Sequence, residues 1–398
     1  MFKFAFRGFA FKKRIFVCSL SILAIVFLDI AIVVLAIHYR RNSNFLIMGN
    51  TIVVASSESK NKKSANYVCD GSDDQVEIQA AVDALSREGG KVIFLEGKYN
   101  IDKGKDYSGF KSAILIPHID NGAHITIEGV GGSTIFVLRT DTYAFAAAGT
   151  GYYEPEASSR LVFRNLTFDA SEKNKGGGIF LKFSSYSSVD NNWFFNLSDG
   201  VTFLKSYKNN ISNNVFEGVS QSILLTESHD CLVSGNSDAG FENSGRPDFP
   251  ISSMKIIGGF ETIVTSNSIE HIYDKNESSV GIWILDSADT IITSNSLEEC
   301  DTGIKIAGKY PFESYYLTTT LVSNNSLRDN PVNLVVSNTC QAMITDNVFT
   351  GFTRSEGIKI MSKSEKINIV SNTFNNYSAK TALIDDGSNK DINYEPSN

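Results

Sequence analysis

The sequence predicts an all-β fold, a right-handed parallel β-helix with an N-terminal capping α-helix, preceded by one transmembrane helix. Three observations predict it. A phrase reading apolar, small polar, polar, Asn returns eight times between residues 189 and 372. A second phrase, Gly-Ile or Gly-Val followed by alternating apolar residues, falls between its copies. A single long apolar stretch stands near the N-terminus, outside both repeats.

The Asn phrase ends on Asn192, Asn214, Asn236, Asn267, Asn295, Asn325, Asn347 and Asn372, at steps of 22, 22, 31, 28, 30, 22 and 25 residues. A period of this size marks a solenoid. The apolar runs are short and rich in Val, Ile and Phe, as in strands. The Gly phrases (Gly178-Ile179, Gly200-Val201, Gly281-Ile282, Gly303-Ile304 and Gly357-Ile358) give each repeat at least two strands. No repeat holds a helical pattern, so βα solenoids are excluded. Coils then stack at about 4.8 Å. The Asn side chains are expected to form a structural ladder of hydrogen bonds along the stack, and to take the left-handed backbone a sharp corner needs. Ser184, Ser206, Ser228, Ser287 and Ser364 share a second register and imply a second ladder.

A solenoid needs capped ends. From Asp70 to Leu85 the chain reads as an amphipathic helix, with Ile78, Ala81, Val82 and Leu85 on one face. Ser72 with Gln75, or Asp74 with Glu77, suits a capping box, and Gly89-Gly90 ends the element. This pattern (Asp-Gly-x-Asp-Asp, helix, Gly-Gly, strand, Gly-x-Tyr-x-Ile) resembles the N-terminal cap of the pectate-lyase-like β-helix superfamily. The Asn and Gly-Ile phrases resemble its parallel β-helix repeats, as also found in NosD-type periplasmic proteins. The resemblance spans roughly residues 66 to 385 and implies the fold, which hosts many activities.

The apolar stretch Ile15–Ile37 has 23 residues and one charge, Asp29, and is long enough to cross a bilayer. Lys3, Arg7, Lys12, Lys13 and Arg14 precede it, so the N-terminus is expected in the cytoplasm and the β-helix outside, extracellular or periplasmic. Asp29 marks either a contact within the membrane or a carboxyl that is protonated or drawn to the outer face. The expected order is a cytoplasmic tail at 1–14, a signal anchor at 15–37, a linker with the first strand at 38–65, the cap at 66–100, the β-helix at 101–387 and a disordered polar tail at 388–398. No pair of cysteines reads as a disulfide. Net charge is −8 with no basic stripe, which argues against nucleic acid as a partner. The sequon at Asn276 falls in a predicted loop and is the best placed for glycosylation. Assembly as a homotrimer is left open.

The Asn phrase also serves as a ruler. Counted from it, insertions at 239–252 and 270–279 fall at one corner. They bring Glu242, Arg246, Asp248, His271, Tyr273 and Asp274 as candidate substrate-binding residues, because long loops on a rigid scaffold carry binding. A further insertion leaves the first coil at 140–159, with Tyr143, Tyr152 and Tyr153. Just past each phrase stands an outward column in which Glu270, Glu298 and Arg328 are consecutive and Glu217 lies two coils before Glu270. Carboxylates one coil apart would lie about 5 Å apart, the separation in retaining glycosidases. Such a cluster equally suits Ca²⁺, and the resemblance to the superfamily's lyases gives Arg328 a role on a uronate. The alternative for the column is a solvated charged face. The Gly-His-Gly of polygalacturonase-like hydrolases and the Asp-Pro-His of alginate epimerases are absent. Two functions remain: a membrane-anchored surface protein that binds or processes polysaccharide, by lyase- or glycosidase-like chemistry if it is an enzyme, or a non-catalytic adhesive or envelope component.

Overall fold

The structure is a computed structural model. It describes residues 50–395 apart from 86–88, 120–122, 154, 173–174, 241–251, 274–277, 309–318, 353 and 362. The stretches 1–14 and 15–37 therefore lie outside the described residues. Among the described residues no helix is long and apolar enough to cross a membrane.

Each coil contributes three strands rather than the minimum of two, and like strands pair in parallel into three long sheets. One coil reads Asn210–Ser212 in the first sheet, Val215–Glu217 in the second and Gln221–Thr226 in the third. The next repeats it with Leu232–Ser234, Ser237–Ala239 and Ser252–Ile257. The registers Ile211↔Val233 and Ile223↔Met254 keep inward apolar residues stacked.

The Asn ladder occupies the corner between the first and second sheets. All eight Asn side chains are buried. Asn236 shows the pattern. Its Oδ1 accepts the main-chain N–H and the side-chain amide of Asn214, both at 3.0 Å. Its own amide donates to Ile211 O and Asn267 Oδ1, both at 3.0 Å. The ladder runs unbroken to Asn372. Even Leu166, which stands in the Asn position of a weaker leading copy, gives its backbone N–H to Asn192 Oδ1. One expectation is corrected. The left-handed residue is not the ladder Asn but the one before it: Asn191, Asn213, Gly235, Ser266, Ser294, Asn324, Asp346 and Ser371, at φ between +55° and +65°. The bend is completed one residue early, which leaves the Asn extended and its amide aimed along the stack. The Ser ladder also forms, with Ser184 N donating to Ser206 Oγ at 3.1 Å and Ser206 N to Ser228 Oγ at 3.2 Å.

Inside, the second sheet stacks Phe136, Phe168, Phe194 and Phe216, with ring centroids 4.8 to 5.5 Å apart. Gly178 and Gly200 face the Phe194 and Phe216 rings. A Cβ on Gly200 would lie 2.6 Å from the Phe216 ring and 2.4 Å from Ser222 O. The column then breaks, because the next inward residue after Phe216 is Asp238, fully buried. Ser253, in register with Gly281 of the next coil, donates its hydroxyl to the Asp238 carboxylate. Burial pushes the Asp238 carboxyl up to about 6, against the pull of that hydrogen bond.

The cap helix is shorter than the sequence implied, Gln75–Asp83, with Ile78, Ala81 and Val82 buried against the first coils. Neither capping box forms. The Asp74 carboxylate instead accepts the N–H groups of Gly71 and Asn100 at 2.8 and 2.7 Å, and Gln75 donates to Asp73. Two further expectations are corrected. Tyr143–Ala148, placed in an insertion, is a strand of the third sheet, so the loop begins at Gly149. The polar stretch after Ser388 is ordered in part: Lys390–Tyr394 pairs with Glu365–Val370, and Ile392 and Tyr394 pack on the core. Cys69, Cys231 and Cys300 are buried free thiols.

Two outcomes follow for stability. Asn236→Ala leaves two buried donors of Asn214 without an acceptor and should cost about 2–4 kcal/mol in chemical denaturation. The raised carboxyl of Asp238 makes the folded state hold its proton more tightly than the unfolded chain. Its destabilising effect is therefore absent below about pH 4, grows as pH rises to about 6 and is complete above that. Asp238→Asn should raise the thermal midpoint at pH 7.5 and leave it nearly unchanged at pH 4; an equal shift at both would contradict this ionisation.

Candidate functional site

The outward column of the second sheet stands as its register demands. Glu270 pairs with Glu298 and Glu298 with Arg328, while Ala239 separates Glu217 from Glu270. Neighbouring Cα positions in this column are about 5 Å apart. The groups are not equivalent. Glu298 is half-buried and ion-paired to the Arg328 guanidinium, whose hydrogen bond and charge hold Arg328 above its ordinary pKa. The exposed carboxylate of Glu270 has no ion-pair partner among the described residues. His271 turns the chain at the edge of the column with φ +58° and sets Nε2 2.9 Å from Glu299 Oε2. The Tyr273 ring lies 6.4 Å from that of His271. Glu242, Arg246, Asp248, Asp274 and Asn276 lie outside the described residues. The second-sheet strands that precede them end at Ala239 and Glu270, and the third-sheet strands that follow begin at Ser252 and Val280.

A second feature lies at the corner between the third and first sheets. There Ser185, Tyr207, His229, Phe260 and Ala288 bridge in sequence from coil to coil. The His229 and Phe260 rings stack 3.9 Å apart at 5°. The loop that follows Ala148 folds back onto this line. Tyr152 stacks on His229 at 5.7 Å and meets Phe183 edge-on, and Tyr153 meets Tyr207 edge-on at 5.2 Å. The result is a ridge of aromatic rings along four coils. Tyr153, Tyr186 and Phe260 are 65%, 51% and 42% exposed. Lys208 lies over the Tyr207 ring and Arg160 over Tyr186. Burial lowers the His229 pKa, which favours the neutral imidazole. Reading outward from Asn alone missed this ridge. Its signal was the residue after each ladder Ser: Tyr207 after Ser206 and His229 after Ser228, with Phe260 after Gly259 in the same register.

A rigid β-helix with one charged outward column and one aromatic ridge defines a solenoid scaffold protein of the parallel β-helix class. Residues 108–309 and 251–394 match the family described as periplasmic copper-binding protein (NosD), and the chain belongs to that family. No curated protein matches the chain. Among solved structures it is similar to the tailspike protein of E. coli bacteriophage HK620 in complex with a hexasaccharide, at 11% identity and a TM-score of 0.61, covering 81% of this chain and 62% of that one. It is similar to the Agl-KA catalytic domain at 12% identity and a TM-score of 0.56, covering 81% of this chain and 66% of that one. It is also similar to the mannuronan C-5 epimerase AlgE6 A-module of Azotobacter vinelandii, at 14% identity and a TM-score of 0.51, covering 82% and 96%. At such identities the likeness is one of fold, the right-handed parallel β-helix.

The family description names copper, and the donor chemistry here does not fit it. Among the described residues one group of three His, Cys, Asp or Glu side chains converges: Cys69, Asp74 and Glu77. It lies in the cap, outside the matched residues, and contains no histidine. Burial, with the charges of Asp74 and Glu77, pushes the Cys69 thiol far up, so the sulfur stays protonated. Asp74 already holds two backbone N–H groups.

Exposed Arg328 and half-buried Glu298 form a surface pair in contact with solvent, and such pairs add little to stability. Arg328→Ala should leave the thermal midpoint unchanged within error, which a melting curve checks.

Proposed function

We propose that the chain is a polysaccharide-binding β-helix of the cell envelope, held to the membrane by residues 15–37 with the solenoid on the outer side. The aromatic ridge carries this reading. The exposed rings of Tyr153, Tyr186 and Phe260, with half-buried Tyr207 and His229 in the same row, offer apolar surface with polar edges, the chemistry that covers the apolar face of a sugar ring. The rings sit on a scaffold whose backbone is fixed by two ladders, so little ordering is lost on binding. The neighbouring folds include a tailspike solved with a hexasaccharide, which supports a sugar chain as the ligand of such a solenoid.

A second reading, processing of the bound chain, is favoured by Glu270 and Glu298 as register neighbours about 5 Å apart. In that reading Glu298 is positioned by its ion pair with Arg328. Ca²⁺ held by the same carboxylates would instead supply a charge for a uronate.

The test is a binding screen of the full chain against a glycan panel, then repeated on Tyr207→Ala and Phe260→Ala. Each should weaken the best glycan by about tenfold, the equivalent of one lost ring contact, without lowering the thermal midpoint. Unchanged affinity in both variants would remove the ridge as the site. Product analysis on wild type and Glu270→Ala, with and without Ca²⁺, decides between binding and processing.

A further inference from the structure

The outer face of the third sheet carries a column that neither phrase singled out. Its register runs Leu224, Lys255, Trp283, Lys305, Val335, Lys359. Outward positions of a strand are ordinarily solvated, yet Val335 is 7% exposed and the Trp283 indole N–H is buried with no hydrogen-bond partner. Lys255 and Lys305 grip the two sides of this indole, with Nζ at 3.9 and 4.8 Å from the ring centroid. Both lysines are half-buried. Neither makes an ion pair with a carboxylate among the described residues. The contrast within the same face is informative: Lys359 is bound to Glu356 at 2.9 Å, and Lys205 at the neighbouring corner to Glu227 at 3.4 Å.

Two ammonium groups held beside an apolar floor, with no counter-charge among the described residues, are costly to keep. The indole offsets part of that cost through its negative faces, and an anion would offset the rest. Burial lowers both lysine pKa values, and at Lys255 the charge of Lys305 adds to the effect. Lys255 and Lys305 are two coils apart, about 10 Å between Cα positions by strand spacing. That separation is too wide for one small anion gripped by both stems, and it suits a polymer that presents charges at intervals along the helix axis.

We infer that Lys255, Trp283 and Lys305 form a subsite for a linear anionic polysaccharide, whose carboxylate or sulfate groups pair with the two ammonium ions as the chain lies along the third sheet. The inference deepens the polysaccharide-binding reading by naming the substrate class, and it rests on a face separate from the aromatic ridge. The Lys255 coil carries Phe260 five residues on, so one sugar chain can run from the ridge onto this face.

The experiment uses the full chain and fluorescently labelled polygalacturonate, polymannuronate and chondroitin sulfate, with dextran as the uncharged control. Variants are Lys255→Met and Lys305→Met, which keep an apolar stem against the indole, and the doubly substituted Lys255→Arg/Lys305→Arg, which keeps the charge. Wild type should bind at least one anionic polymer, more weakly as NaCl rises, and dextran at least tenfold more weakly. Each Met variant should lose about tenfold or more for the anionic polymer, while the Arg variant keeps most of it. Anionic binding unchanged in both Met variants, no preference over dextran, or no binding of any anionic polymer overturns the subsite. Dextran binding that is lost in Tyr207→Ala but kept in the Met variants would leave the ridge reading standing while the subsite is judged on the anionic polymers alone.

Discussion

The fold depends on a single repeated hydrogen bond, the one that each buried Asn Oδ1 accepts from the coil before it. A corner inside a solenoid exposes main-chain donors to an apolar interior, and each must find an acceptor. Here one side chain satisfies both the backbone N–H and the amide of its neighbour, and its own amide is taken up by the next. Because each Asn serves only adjacent coils, stability is assembled from local steps. Coils of different length, with 22 or 31 residues between ladder positions, can therefore share one unbroken corner. The extra residues leave the stack elsewhere, at the second-to-third and third-to-first corners, where no Asn ladder has to close.

That division of labour explains what the sequence made legible. The Asn spacing gave the register, and the structure reproduces the neighbours Glu270, Glu298 and Arg328. It did not give the left-handed position, because Asn, Gly, Ser and Asp all fill it and no single residue type marks it. Asp238 was readable in the same register, two residues past Asn236 where other coils hold Phe, Ile or Leu, but inward positions are expected to be apolar. The Ser register showed a ladder without showing that the next residue points outward as part of a ridge. The Lys255–Trp283–Lys305 column stayed hidden because the lysines and the tryptophan sit at different offsets from the Asn phrase once the insertions are counted.

The outer surfaces differ in kind although the interior is nearly uniform. The second sheet presents carboxylates, the third sheet ammonium groups around an indole, and the corner between the third and first sheets a row of rings. A solenoid permits this because its strands are buried on one face only, so outward residues change without disturbing the stack. Three chemically distinct strips then run parallel to one axis, each with side-chain positions spaced near 4.8 Å.

The last strand, Lys390–Tyr394, has a further consequence. Among the described residues it is the last member of the first sheet, with a strand on one side only, so its other edge offers N–H and C=O groups as a template for another chain. Ile392 and Tyr394 pack on the core, while Lys390, Asp391 and Glu395 are exposed and charged. A second solenoid approaching end to end would have to strip water from those charges before gaining any backbone pairing.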